Sequence, residues 1–388
     1  METSLNTRLL SGIRVVELTT MITGPLTGML LADLGADVIK VENPDGGDPF
    51  RSFRGGQYSP HFCGYNRNKR SVVLDLRSEH GKQTLEKLIA RSDVVIENFR
   101  PGVMDRLGFD DTRLNALNSR LIHCHISGFG TDGPYTNRPA YDAVAQSLSG
   151  MSSLFLDPDA PQITGPTISD NITGFYASQG ILAALFAREK TGAGRRIDVN
   201  MLEATLAFMP DPFGYYTQMD IVSDPKLRAR TSQSYAFQCA DDKLLTIHLS
   251  SQEKFWLQFV DVIERPELLT HEKTSTRALR IEYYDFVKET AAEVFIRQPR
   301  SHWLEALAKR DIPFAPVYDV VEVFEDPQIK HLGSFRTLTH PEMGPVTAIR
   351  RPILFDLSRD DQPQNAPPVL GEHTEEVLAE LNAPFSEQ

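Results

Sequence analysis

The chain has 388 residues, 41% hydrophobic and 24% charged, with a formal net charge of −12. The length predicts two lobes rather than one core, and the acidic balance excludes a nucleic-acid binder, which needs a basic stripe to displace counterions from phosphate. Three cysteines without metal or disulfide spacing, a start without an apolar leader and no run near the roughly 20 apolar residues of a membrane span predict a soluble, cytoplasmic protein with no membrane partner.

The first predicted strand is the β-branched run Ile13–Thr19. Gly24-Pro25 interrupts it, and apolar residues at helical spacing follow over Leu26–Leu34, stopped by Gly35. A second strand, Asp37–Val41, completes a βαβ unit, which favours a right-handed crossover and a parallel sheet. The alternation continues with a strand at Ser71–Leu76, a helix over Glu79–Arg91, and strands at Asp93–Phe99 and Arg120–Ser127. The expected fold class is α/β, a Rossmann-like doubly wound parallel sheet. A long helix opens at Asp170 and runs to about Glu189, and Arg196–Val199 reads as another strand.

Residues 211–230 carry prolines, a Gly-Tyr-Tyr and a charged segment, and read as a linker between a large domain begun at residues 1–210 and a smaller α+β domain at 231–325. In the smaller domain Tyr235–Cys239 and Leu244–Leu249 flank Asp241-Asp242 like a hairpin. Residues 326–388 return to the large domain, with a second hairpin around Glu342-Met343-Gly344 and a last helix near Thr374–Leu381.

Gly128, Gly130 and Gly133 spell a dinucleotide fingerprint after a strand. Such a fingerprint must lead straight into a helix that receives the pyrophosphate. Pro134, Asn137, Arg138 and Pro139 follow instead, so the segment reads as a loop and a nicotinamide cofactor is not expected. His123 and His125 share one face of a strand; with no further ligand at metal spacing they read as sheet residues. The absence of G-x-S-x-G removes support for a serine hydrolase.

Asp170, in Ile168-Ser169-Asp170-Asn171 ahead of a helix, reads by default as an N-cap. The same position has a chemical reading, because free N–H groups and the positive end of the helix dipole keep a carboxylate ionised and can stabilise an oxyanion beside it. Lys69, Arg70, Arg77, Arg100, Arg106 and Arg138 form a dispersed basic set that spacing alone assigns to ordinary surface charge. Asn98, Phe99 and Arg100, at the end of a strand, suit an adenine and a phosphate.

Several segments, taken in order, resemble one family. They are L-x-G-I-R-V-V-E-L with Gly24-Pro25, then L-G-A-D-V-I-K-V-E (Leu34–Glu42), N-K-R-S-V-V-L-D-L (Asn68–Leu76) and D-V-V-I-E-N-F-R-P-G (Asp93–Gly102). R-P-A-Y-D-x-x-x-Q (Arg138–Gln146), the Gly165-Pro166 and Ser169-Asp170 segment with Thr173-Gly174, and L-G-E-H-T (Leu370–Thr374) follow. Together they resemble the class III CoA-transferases, which include formyl-CoA and carnitine CoA-transferases.

The resemblance implies that the chain moves coenzyme A from an acyl-CoA to a carboxylic acid, with Asp170 as the covalent nucleophile. Acyl-CoA and the acid would be its substrates, with no permanently bound cofactor. It further implies CoA contacts at Ile22, Thr23, Leu74, Arg77, Asn98, Phe99, Arg100, Arg106 and Arg138, a tyrosine beside the site at Tyr141, and an interlocked homodimer. Three departures qualify it. Asn43 stands where some members carry a basic residue for adenine, and the lid glycines of formyl-CoA transferase have no counterpart between Leu227 and Asp242, which argues against formyl/oxalate specificity. Tyr141-Asp142 replaces the His-Asp of the related racemases, removing one of two acid/base groups. An acyl-CoA racemase or epimerase and a non-catalytic CoA-ester binder are the alternatives. Small dicarboxylates such as succinate are the first donors to try.

Overall fold

The computed structural model describes residues 8–53, 58–359 and 362–383. The chain divides into two compact units, one of residues 8–152, 163–210 and 333–383, the other of residues 153–162 and 211–332. Among the described residues no helix is long and apolar enough to cross a membrane.

The first unit is built on a six-stranded parallel sheet in the order β3-β2-β1-β4-β5-β6. Its strands are β1 (Arg14–Leu18), β2 (Asp37–Glu42), β3 (Lys69–Val73), β4 (Val94–Glu97), β5 (Ile122–Ser127) and β6 (Arg195–Asn200). The helices between them are α1 (Thr23–Ala32), α2 (Pro60–Tyr65), α3 (Glu79–Ala90), α4 (Val103–Leu107), α5 (Asp111–Leu117), α6 (Asp142–Leu148), α7 (Ile168–Thr191) and, after β6, α8 (Met201–Phe208). β1, β2 and β4 carry adjacent apolar residues, Val15-Val16, Val38-Ile39 and Val94-Val95-Ile96, because helices cover both faces of the central strands.

On one face Val16, Leu18, Ile39, Val41, Val72, Leu74 and Val95 pack against Leu85, Leu88, Met104 and Leu114 of α3 to α5. On the other, Val15, Val38, Val94, Ile96, Ile122 and Cys124 pack against Leu31 of α1 and Ala177, Ile181 and Leu185 of α7. The strand order reverses between β1 and β4, which opens a crevice at their carboxyl ends, where such sheets take ligands.

Gly24-Pro25 does not separate strand from helix as the sequence predicts. Both residues lie within the first turn of α1, where proline is tolerated because its missing N–H has no helical partner.

The second unit begins with α9 (Pro210–Met219) and α10 (Leu227–Ser232), so the segment expected to be a linker is largely helical, and residues 153–162, expected in the large domain, belong to this unit. A three-stranded antiparallel sheet of β7 (Ser234–Gln238), β8 (Leu244–His248) and β9 (Phe314–Val317) follows. It is backed by α11 (Glu253–Val262), α12 (Arg277–Glu282), α13 (Tyr284–Phe295) and α14 (Arg300–Ala308), around stacked Tyr235, Phe237, Phe259 and Phe295. After α15 (Val320–Val323) and α16 (Pro327–Leu332) the chain rejoins the first unit. There β10 (Phe335–His340) pairs with β11 (Gly344–Ile349), and α17 (Thr374–Asn382) places Val377 and Leu381 in the first core.

Candidate active site

Asp170 is the third residue of α7, not its cap. The residue before the helix is Thr167, whose side chain caps no N–H. Cover for the open helix end comes from another element: Asp142, the first residue of α6, accepts the Asp170 N–H at 3.2 Å. The other oxygen of Asp142 accepts from Gln146 Nε2, one turn on, at 2.5 Å.

The rest of the turn is held on all sides. Buried Ser169 bonds Thr205 of α8 at 2.6 Å, Thr173 Oγ1 donates to Ser169 O at 2.7 Å, and Asn171 Nδ2 donates to Thr167 O at 2.5 Å and to Tyr65 OH at 3.3 Å. Asp170 is therefore a half-buried carboxylate beside a second carboxylate. Burial first, then the charge of Asp142, push its pKa up to about 7. The sequence predicts that the helix N-terminus favours the ionised form of Asp170; burial and the Asp142 charge act in the opposite direction.

The N-terminus of α1 lies against α7 one turn further on, at Gly174. A Cβ on Gly174 would come within 2.9 Å of Thr23 O and of a Leu26 methyl, so the two helices touch at a position only glycine permits. Thr27 Oγ1 donates to Thr23 O at 2.8 Å and lies 3.3 Å from Gly174 O. First-turn N–H groups have no partner inside their own helix, so α1 and α7 both direct positive ends to this region.

Asn98 fastens the loop into α1. It accepts the Thr20 N–H at 3.1 Å and donates to Thr20 O at 2.9 Å and to Thr23 Oγ1 at 3.2 Å. Its amide is thus engaged with protein, where the sequence reading expected a ligand contact. Thr23 is buried, and the Ile22 side chain packs inward on Phe50 and Phe62, leaving only its backbone to meet a ligand.

Beyond this loop a cavity of about 330 Å³ opens over the crevice, lined by Thr19, Thr20, Asn43, Asp45, Leu74, Asp75, Arg77, Phe99 and Leu107, among others. Leu74, Phe99 and Arg77 thus meet as expected. Arg77 is exposed and bonds Asp75 at 2.8 Å and Asp45 at 3.1 Å, so any phosphate must compete with two carboxylates.

The other expected cations are not gathered here. Arg100 lines a separate cavity of about 170 Å³ with Glu97, His123 and His125. Arg106 is exposed on α4, and Arg138 lies over the Tyr135 ring at 3.8 Å. Tyr141, 65% exposed, directly precedes Asp142. His123 and His125 are buried in the sheet: His125 Nδ1 bonds Glu97, and His123 Nδ1 lies 3.2 Å from Asp111. Burial alone would raise Glu97, but the bonds from His123 and His125 hold its carboxyl below the usual range.

Sequence reasoning gave Asp142 no role. Its signals were its place in the Arg138–Gln146 motif and in the Tyr141-Asp142 pair set against the His-Asp of the racemases; nothing linear tied it to Asp170.

A model of CoA-transferase family III matches residues 10–374. The chain is 36% identical to the acetyl-CoA:oxalate CoA-transferase of Acetobacter aceti over 82% of both chains. It is 35% identical to the formyl-CoA:oxalate CoA-transferase of Streptomyces avermitilis, covering 96% of this chain and 95% of the relative. With the succinate–glutarate CoA-transferase of Agrobacterium fabrum it shares 32%, over 96% and 95%. A CAIB/BAIF family protein from Brucella suis has a similar crystal structure, with a TM-score of 0.86 at 31% identity over 97% of this chain and 100% of that one.

Proposed function

The chain belongs to CoA-transferase family III, and from that premise we propose that it moves CoA from an acyl-CoA to a carboxylic acid with Asp170 as the covalent nucleophile. The observation that carries this reading is the Asp170 carboxylate, half-buried in the first turn of α7, raised to about 7 and one turn from the contact of α7 with the N-terminus of α1. A carboxylate in that range is a better nucleophile than a surface aspartate and is still about half ionised at neutral pH.

In the proposed sequence an Asp170 oxygen attacks the thioester carbon. The C–S bond breaks, giving an acyl-aspartyl anhydride and CoA thiolate. The thiolate attacks the aspartyl carbonyl, the donor acid leaves as carboxylate, and Asp170 holds CoA as a thioester. The acceptor carboxylate then attacks that thioester, and the released thiolate takes the acceptor acyl group and frees Asp170. Each step exchanges one acyl bond for another, so no ATP and no resident cofactor is required. The N–H groups opening α1 would receive the oxyanion at the acyl carbon. The Asn98-held loop would guide the thiol arm from the Leu74–Phe99 cavity, which would take the nucleotide end.

Relatives named for oxalate, succinate and glutarate support short dicarboxylates as the acids. Oxalate joins the acceptors to be tried, although the missing lid glycines argued against it. A homodimer is part of the proposal, supported by Phe175, Tyr176, Leu182 and Phe186, which leave α7 an exposed apolar flank; sedimentation velocity tests it. Three free cysteines are in keeping with a cytosolic location.

The test is intact-protein mass spectrometry after mixing with acetyl-, formyl-, oxalyl- and succinyl-CoA, followed by peptide mapping. A CoA-sized adduct on the Asp170 peptide, discharged by a dicarboxylate, is expected. Acyl exchange without any adduct there would remove Asp170 as nucleophile. Deuterium entering the α-carbon of a 2-methylacyl-CoA would favour the racemase.

A further inference from the structure

Between the sheet and α1 lie four ionisable side chains at most 2% exposed: Glu17 of β1, Lys40 of β2, Lys69 of β3 and Asp48 from the loop after β2. Lys40 Nζ is 3.0 Å from Glu17 Oε1 and 3.0 Å from Asp48 Oδ2, and it donates to Thr19 O at 2.8 Å. Asp48 Oδ1 accepts the N–H of Met21 at 3.3 Å and of Phe50 at 2.9 Å. Lys69 Nζ reaches Glu17 Oε2 at 2.8 Å and Pro25 O at 2.8 Å.

Stability alone is a poor account of such a cluster. Desolvating buried charges offsets much of their attraction, and apolar side chains of similar volume often serve as well. What the charges hold is backbone. Thr19 O, Met21 N–H and Pro25 O belong to one seven-residue stretch, the loop into α1 together with its first turn, and Asn98 grips the same stretch through Thr20 and Thr23.

The loop is strained. Met21 has φ of 70°, in the left-handed region where a side chain is uncommon, and a Cβ on Gly24 would lie 2.3 Å from the Thr19 side chain. Such conformations persist only where their surroundings over-determine them. Of the two lysines Lys40 is the more firmly charged. Burial opposes its charge, but Asp48, Glu17 and Glu42 raise its pKa above the ordinary range, whereas burial lowers Lys69 to about 8.

We propose that Lys40 and Asp48 are positioning residues for acyl transfer: through Thr19 O and the Met21 N–H they set the height of the 19–25 loop and hence of the α1 N–H groups beside Asp170. The inference rests on the transferase reading with Asp170 as nucleophile. Lys40 is fully buried and does not line the Leu74–Phe99 cavity, whereas Asp48, 1% exposed, borders it; the effect of Lys40 therefore falls on the covalent step rather than on CoA binding.

The test compares wild type with Lys40→Met, which keeps length and loses charge, and Asp48→Asn, which keeps shape. Single-turnover formation of the Asp170–CoA adduct is followed by intact mass at saturating acyl-CoA, with CoA affinity by calorimetry and the folded fraction by circular dichroism. Lys40→Met is expected to slow adduct formation per folded molecule about tenfold or more while changing the Kd for CoA less than about threefold. Asp48→Asn should slow it less, by about threefold.

A purely structural role would lower the melting temperature and leave the rate per folded molecule unchanged; that result overturns the proposal. Where Lys40→Met does not fold, Asp48→Asn decides alone, and a wild-type rate in it is equally fatal. Wild type separates the two readings. If it carries no CoA on the Asp170 peptide, the nucleophile assignment falls and takes this inference with it. If wild type loads and folded variants load as fast, only the positioning role falls.

Discussion

The main-chain N–H of Asp170 donates to the carboxylate of Asp142 at 3.2 Å, so the first turn of α7 carries one acidic side chain and is capped by another. Two carboxylates meeting at one helix end give the site its pH behaviour.

Adduct formation should follow the ionised fraction of Asp170, rising with pH through about 7 and levelling above it. Asp142→Asn keeps an oxygen for the Asp170 N–H and removes the neighbouring charge, so the midpoint of kcat/KM against pH should move to lower pH. A midpoint unchanged in this variant would dissociate Asp142 from the titration.

Asp170→Asn should abolish adduct formation and stabilise the fold at alkaline pH. The Asp170 pKa is about 7 in the folded protein against about 3.9 unfolded. The folded state therefore binds the extra proton, and the carboxylate's destabilising effect grows as pH rises from about 4 to about 7 and is complete above. The melting temperature of Asp170→Asn should exceed wild type by roughly 3 °C at pH 8, with a smaller gap at pH 5. Thermal scans at both pH values check the sign.

Gly174→Ala should destabilise by about 1–3 kcal/mol, because its methyl would press on Thr23 O and Leu26 at 2.9 Å, and it should slow the covalent step by displacing α1. Gly180→Ala, on the same helix, meets only Ile197 side-chain atoms, the nearer at 3.2 Å. There the gain in helix propensity, up to about 1 kcal/mol, should offset the contact. Chemical denaturation of the pair separates helix contact from helix propensity.

Arg77→Ala should weaken CoA binding about tenfold without changing the melting temperature, since its pairs with Asp75 and Asp45 are solvent-exposed. Asp45→Asn should tighten CoA by freeing the guanidinium. Calorimetry at low and high salt tests both, and equal affinities in all three proteins would exclude Arg77 from phosphate binding.

Local pattern made the sheet legible. The β-branched runs at Val15-Val16 and Val94-Val95 are buried on both faces and had few other places to go. The loop at Gly128–Gly133 and the hairpins at Asp241-Asp242 and Glu342–Gly344 were likewise marked by turn residues. The helices within 211–230 were not legible because prolines at the start of a helix look, in one dimension, like prolines in an irregular segment.

For the site, the sequence by itself determined that Asp170 opens a long helix and that Leu74 and Phe99 stand at strand ends, since both follow from neighbours in the chain. Only the tertiary structure decided that Asp142 meets Asp170, that Asn98 and Lys40 grip one loop, and that Arg100, Arg106 and Arg138 do not converge on the Leu74–Phe99 cavity. The reason is distance along the chain. Asp142 and Asp170 are 28 residues apart, and Asn98 is 78 from Thr20. No local periodicity encodes such a meeting; the crossover of the sheet and the close contact of α1 with α7 produce it, and with it a carboxylate whose charge is opposed by burial and by a second carboxylate.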